Sequence, residues 1–508
     1  MKTTPPVIRA VPPLGRAPSS RERLAFNFGP GTVPGKDVVD AALAADEAPT
    51  FATAPYAEPR DWGYIGLLAF TAVLMMRPQD QIPGLSSLHL AELCAAIGIA
   101  PMLLHRFARR LPVFRVTPET MGLVVFGLVI IGTAPFSIWP GGVIQVFVDS
   151  YVKILLVFVL MMNTLTTPKR LEQITGLIVL CSGYICVLAV ANYARGVNLV
   201  ENGRLAGPVS GMFGNPNDLA LNMVTFLPAA IVIAMSQSQP ALKRMAAGGI
   251  AFLMLTTVVL TKSRGGAVGL VAALVVLVLF GGRVRRGFRV AAVAAVLAVL
   301  PLAPDSFWER MASITDSRQD ALQFTGSREA RRVVMQEGIE TFIDRPLTGV
   351  GAGQFKNFNP PDRRERWRET HNALIQVAAE TGILGLLAFT FLIIRAAIAT
   401  RSTRRMLLPP RKRSADDPLR HVLADNDRRA LYAHTVAMTA GLAGWFVCSL
   451  FASVAYNWTF YYLLALIVAG RELTRDRLVA SRVIQRDRAK RFSVPAASRF
   501  GRVANGVA

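Results

Sequence analysis

Nine stretches of this chain are almost free of charged residues: 119–139, 171–194, 219–235, 246–260, 266–280, 288–303, 372–394, 431–452 and 458–470. Several reach the ~20 residues that a helix needs to cross ~30 Å of hydrocarbon, and the shorter ones can borrow flanking polar residues. This overrules the roughly two to four soluble domains that 508 residues would otherwise suggest. The predicted class is an all-α, polytopic membrane protein.

Twelve spans are expected, centred near Ala69, Ala96, Val129, Leu155, Leu180, Thr225, Leu255, Ala273, Ala295, Leu384, Gly441 and Leu464. The second carries His89 and Glu92 near its start; the fourth carries Asp149 and Lys153, four apart and so able to pair on one helix face. Such pairing lowers their cost in lipid. A positive mean hydropathy beside a net charge of +23 is reconciled by the basic residues lying between the runs. An even number of spans puts both termini on one side, and the basic residues select the cytoplasm. That arrangement gathers 39 Lys and Arg inside, against five in the short outward loops. The single long outward loop, about 304–370, has eleven basic and eleven acidic residues and is largely exempt from the rule.

The expected organisation is a disordered cytoplasmic tail over 1–60, a transmembrane domain over 61–471 and a basic cytoplasmic tail over 472–508. The first 60 residues contain no apolar stretch of signal-peptide length. Cys94, Cys181, Cys186 and Cys448 all fall in apolar segments without metal-ligand spacing, which reads as packing. Within the long loop a helix is predicted from Ser327 to about Ile343, where Val334, Met335, Ile339, Phe342 and Ile343 recur at helical spacing. Two places suit it, the membrane surface or the loop's own apolar residues.

Residues that act together must share one side of the membrane. Three outward segments meet that condition: Gly203-Arg204-Leu205-Ala206-Gly207 leading to Phe213-Gly214-Asn215-Pro216-Asn217-Asp218; Thr261-Lys262-Ser263-Arg264-Gly265-Gly266; and Glu369-Thr370-His371-Asn372. Arg264 reads either as a snorkelling anchor or as a planar cation suited to a phosphate, with glycines letting the backbone come close to something. Arg204 follows the same logic, against simple loop solubility. Lys262 reads as an interface residue that could add charge. His371, with an ordinary pKa near 6.5, can take a proton near neutral pH. Asn217 and Asp218, just after a proline, suit helix capping or substrate contact equally. Glu380 lies about half a turn out of phase with His371 and about 13 Å deeper, which favours an interhelical structural bond over a direct role. TGVGAGQF at 348–355 lacks the strand and helix that a nucleotide loop requires. The short outward loops have no close pair of carboxylates for a metal.

The chain resembles the O-antigen ligase and polymerase superfamily of bacterial envelope glycan transferases. The likeness covers the spans from about 60 to 470. It is sharpest in FGNPNDLA (213–220), SRGG (263–266), DRPLTGVGAGQF (344–355) and HNALIQVAAETGILGL (371–386). It implies a glycosyltransferase-C-like membrane architecture in the bacterial inner membrane. It also implies transfer of a glycan from undecaprenyl pyrophosphate to an acceptor, a lipid A core or another glycan, on the periplasmic face. By motif position Arg204, Arg264 and His371 correspond to the family's essential residues. Asn215, Asn217, Asp218, Lys262 and Asn372 are the expected substrate-binding set. No cofactor, metal or nucleic acid is expected; membrane lipid is.

In the mechanism this suggests, the two arginines hold the pyrophosphate and stabilise its departure, while His371 removes or orients the acceptor hydroxyl's proton. In-line attack inverts the anomeric carbon. A polymerase or a protein O-oligosaccharyltransferase uses the same donor chemistry. The rival class is a transporter, which needs a midplane site, often at broken helices; Asp149, Lys153 and Glu380 could build one. A structural scaffold is the third reading.

Overall fold

A computed structural model of the chain describes residues 61–113, 115–200, 203–281, 287, 305–312, 327–364, 366–408 and 425–492. The compact unit runs from Trp62. In chain order its helices are α1 (Trp62–Met76), α2 (Leu90–Ala108), α3 (Pro118–Gly132), α4 (Pro140–Thr164), α5 (Pro168–Ala194), α6 (Pro216–Met235), α7 (Ala241–Leu260) and α8 (Arg264–Gly281). After them come α9 (Asp305–Ala312), α10 (Ser327–Asp344), α11 (Ala373–Leu407), α12 (Asp425–Ser449) and α13 (Trp458–Phe492). The one sheet among the described residues is a two-stranded antiparallel ribbon, β1 (Leu199–Val200) with β2 (Arg204–Leu205).

Nine helices among the described residues are long and apolar enough to cross a membrane. Of the other two at expected positions, α1 is shorter, and α13 gains charge from Arg471 onward. The protein is thus an all-α, multi-pass membrane protein. Helices run through eleven of the twelve expected centres, and the remaining stretch, 288–303, lies outside the described residues, as do 1–60. The α10 helix follows its predicted bounds closely. Its Val334 is buried with Val350, Phe355 and Ala379, so α10 packs on the loop and on α11; Ile339 and Ile343 remain exposed.

Proline and capping residues set several helix starts. Thr117 and Thr167 each precede a proline at the first helical position and accept a backbone N–H three residues on. The α4 helix departs from the expectation. A π turn at Phe147–Val152 adds a residue to the local repeat. Lys153, just past this turn, pairs with Glu92 of α2 at 2.7 Å rather than with Asp149. The predicted Asp149–Lys153 pair is therefore corrected.

Alternate connections gather at opposite ends of the bundle. At one end, Ser210 N–H donates to Asp80, Ile138 N–H donates to the Val350 carbonyl, and His371 N–H donates to Ser453. At the other end, Glu119 in the first turn of α3 is fully buried and takes Arg471 of α13 through both oxygens, at 2.8 and 2.7 Å, together with Arg395 of α11 at 2.9 Å. The cluster continues through Arg471–Glu472 and Arg115–Asp476. A cavity of about 810 Å³ also lies at this second end, between Glu172 of α5, Gln239 and Arg429 of α12.

Within α11 the helix breaks at Gly382 (φ 66°). The chain at 346–355 fills the break. Val350 and Gly351 N–H donate to the Ala379 and Glu380 carbonyls, and Ile383 N–H donates to the Pro346 carbonyl at 2.7 Å. Glu380 Oε2 and Oε1 accept the Gly353 and Phe355 N–H groups. A Cβ on Gly349 would sit 2.4 Å from the Glu380 backbone, so only glycine fits this approach. The TGVGAGQF stretch is a backbone plug for a broken span, and Glu380 has a structural role, through this loop rather than through the interhelical bond expected.

Candidate active site

Two of the three outward segments meet at Asn217. Its Oδ1 accepts a hydrogen bond from the Arg204 guanidinium at 2.8 Å and another from Ser263 Oγ at 2.9 Å. Arg204 Nε also donates to the Thr261 carbonyl at 3.2 Å. Arg204 is 5% exposed, and these two oxygens help to aim its guanidinium. Asn217 can serve this way because Asn215 takes over the capping of α6: its Oδ1 accepts the N–H groups of Asn217 and Asp218, and its Nδ2 donates to Asp218 Oδ2. Of the two readings for this segment, capping falls to Asn215, and Asn217 organises the arginine.

The 261–264 segment is the second wall. Ser263 caps α8, its Oγ accepting the Gly266 N–H at 3.2 Å. Arg264 follows as the first residue of α8 and is half-buried. Lys262 differs from the interface residue predicted. It is 5% exposed, adopts φ 48°, and its ammonium lies 3.4 Å from where a Cβ on Gly203 would be, so it is folded into the arginine loop. The flanking glycines allow the close approach expected of them. A Cβ on Gly265 would meet Phe451 at 2.7 Å and one on Gly266 would meet Ala220 at 2.7 Å, so the close approach they permit is to protein.

His371 supplies the third wall. It adopts φ 53°, a left-handed conformation that costs a non-glycine residue energy and that clusters at functional sites. Asn372 starts α11 behind it, accepting the N–H groups of Leu374 and Ile375 and donating to the Leu450 carbonyl. Burial, and then the positive charges of Arg331, Arg368 and Arg204, push the His371 imidazole down to about 4. The ring is accordingly neutral at pH 7 and lies within the electrostatic reach of Arg204. Glu369, two residues earlier, has its carboxyl raised by burial, with the Lys356 ammonium acting the other way.

Sequence reasoning missed three participants. Arg331 on α10 and Arg368 act on the imidazole through space, and the α12–α13 turn touches both remaining walls. In that turn Cys448 Sγ contacts the Gly265 carbonyl, Phe451 packs on Gly265, and Ser453 bonds His371. The two arginines are single residues in a loop of mixed charge, and the turn has no motif of its own, so contact alone could have found them. Among the described residues no group of three His, Cys, Asp or Glu is arranged to hold a metal ion.

A search of curated proteins finds no match to this chain. A family comparison does find one, over residues 249–390, a segment containing Arg264 and His371 but ending short of Arg204 on its N-terminal side. That family is described as O-antigen ligase, and the match supports the chain's likeness to the O-antigen ligase and polymerase superfamily of glycosyltransferase-like membrane enzymes.

Proposed function

We propose that the protein transfers a glycan from undecaprenyl pyrophosphate to an acceptor hydroxyl at the periplasmic face of a bacterial inner membrane, with both chain termini in the cytoplasm. The observation that carries this reading is one polar cluster at one end of an apolar bundle. In it, Arg204 is locked to the 261–264 segment, and its charge reaches the neutral imidazole of His371. A polyprenyl tail stays in lipid while its diphosphate enters the cluster.

In the proposed step the acceptor oxygen attacks the anomeric carbon and the bond from that carbon to the phosphate oxygen breaks. The electron pair leaves on the diphosphate, and the hydroxyl proton passes to His371. Attack opposite the leaving group inverts the anomeric carbon. Arg204 and Arg264 stabilise the charge that grows on the diphosphate, a role in which oriented cations can stand in place of a metal. The N-terminus of α8 at Arg264 adds the positive end of its dipole. Asn215, Asn217, Asp218, Lys262 and Asn372 shape the pocket rather than react. A diphosphate also opposes the cationic field on His371, so the imidazole becomes a better base once the donor is bound.

An acceptor lipid A core makes the enzyme a ligase, a second lipid-linked repeat makes it a polymerase, and a protein hydroxyl makes it an O-oligosaccharyltransferase. The ligase reading is preferred from the family description. Transport fits less well, because the broken span that it would use is plugged by backbone and Glu380 is committed to two N–H groups. In proteoliposomes, Arg264→Ala should lower transfer by about 10²–10³-fold, and His371→Ala by about 10²–10⁴-fold. Wild-type rates in both variants would refute the mechanism.

A further inference from the structure

The turn between α12 and α13 holds His371 in its unusual backbone conformation through one hydroxyl. Ser453 Oγ accepts the His371 N–H at 2.9 Å and lies 3.1 Å from Thr370 Oγ1. Thr370 Oγ1 donates to the Asn372 carbonyl at 3.0 Å, so its single proton is committed there, and the Ser453 proton must point at Thr370. The three groups form a short relay in which the Ser453 hydroxyl accepts once and donates once. Thr370 is 1% exposed, which leaves little room for water to take over.

The same turn braces the arginine segment. Gly265, directly after Arg264, lies against Phe451 so closely that a Cβ would collide at 2.7 Å, and Cys448 Sγ contacts the Gly265 carbonyl at 3.5 Å. Leu450 accepts from Asn372, and Ala455 N–H donates to Gln376 of α11. The 448–455 turn is thus wedged between the segment that carries Arg264 and the segment that carries His371.

We propose that Ser453 is a positioning residue of the transferase. Its hydroxyl keeps His371 in the left-handed conformation from which the imidazole meets the acceptor, and the turn that carries it sets the spacing between His371 and Arg264. This rests on the proposed role of His371. Small displacements of a positioned group lower the chemical step steeply while leaving donor binding intact.

The test uses the full-length protein in proteoliposomes, with the undecaprenyl-linked glycan extracted from a strain lacking the protein. Ser453→Thr keeps the hydroxyl, whereas Ser453→Val has nearly the same shape without it, and Ser453→Ala guards against a packing fault in the valine variant. Both hydroxyl-free variants should lower kcat on the order of 10- to 100-fold with donor KM unchanged. The threonine variant should restore most of kcat. Wild-type kcat in Ser453→Val and Ser453→Ala, alongside an inactive His371→Ala, overturns the positioning role while sparing the functional reading. Full activity in His371→Ala itself overturns that reading. A loss in Ser453→Val that threonine does not relieve, and that tracks a lowered unfolding temperature, means the turn is structural only and also overturns the proposal.

Discussion

Two buried arginines at opposite ends of the bundle are held by different kinds of group. At the end bearing Glu119, the guanidinium of Arg471 meets a fully buried carboxylate through two parallel bonds, and Arg395 joins them from a third helix. At the end bearing His371, Arg204 is oriented by the Thr261 carbonyl and the Asn217 amide oxygen. The carboxylate of Glu119 ties three helices together, whereas the oxygens of Thr261 and Asn217 orient Arg204 within the site; both arrangements use the same side chain and both bury it.

The most severe way to break this contrast is Glu119→Ala. It leaves two guanidiniums facing a site built for a carboxylate, and removing one partner of a buried pair costs about 3–5 kcal/mol. Thermal unfolding in detergent should show that loss, while transfer per folded molecule stays at the wild-type level. An unchanged unfolding temperature would mean that the cluster is ornamental.

A smaller effect is expected from Asn217→Asp, which imports the chemistry of the far end into the site. The shape is kept and the Arg204 contact becomes an ion pair, so the folded protein should be no less stable. Donor binding should nevertheless weaken by roughly tenfold, the scale of about 1.4 kcal/mol, because a negative charge is added where a diphosphate is proposed to sit. Donor KM in proteoliposomes distinguishes the cases; unchanged KM would show that the field of Arg204 does not reach the diphosphate.

The mildest test is the pH profile. His371 loses its ability to accept a proton when it is itself protonated, so activity falls as pH drops through its pKa. In the free enzyme burial and the surrounding arginines push that value down to about 4. The acid limb of kcat/KM, which reports the free enzyme, should therefore lie near that pH. The acid limb of kcat, which reports the donor complex, should lie at higher pH because the diphosphate opposes the arginines. Coincident limbs would remove the electrostatic link between donor and base.

Much of this was legible in the chain itself. The helix centres follow from local apolar runs, and α10 was drawn almost to its ends from the recurrence of Val334, Met335 and Phe342. Arg204, Arg264 and His371 stood out because their segments share one side of the proposed topology. The errors have a common origin. Asp149 and Lys153 were paired from their spacing along one helix, whereas Lys153 reaches Glu92 on a neighbouring helix. Lys262 was assigned to the interface from its place at a span boundary, yet the chain turns it inward. The glycines of SRGG were read as letting the backbone come close to something, but only the packed structure shows that the neighbours are Phe451 and Ala220.

What the sequence alone determined is therefore the class of molecule and the identity of its polar candidates. Transfer from water to lipid is summed over neighbouring residues, so it can be read from a short window. What the tertiary structure decided is how each candidate is held. Arg204 meets its carbonyl 57 residues away and His371 its hydroxyl 82 residues away. Whether a buried cation meets a carboxylate or an amide oxygen depends on which helices pack together, and no local pattern encodes that.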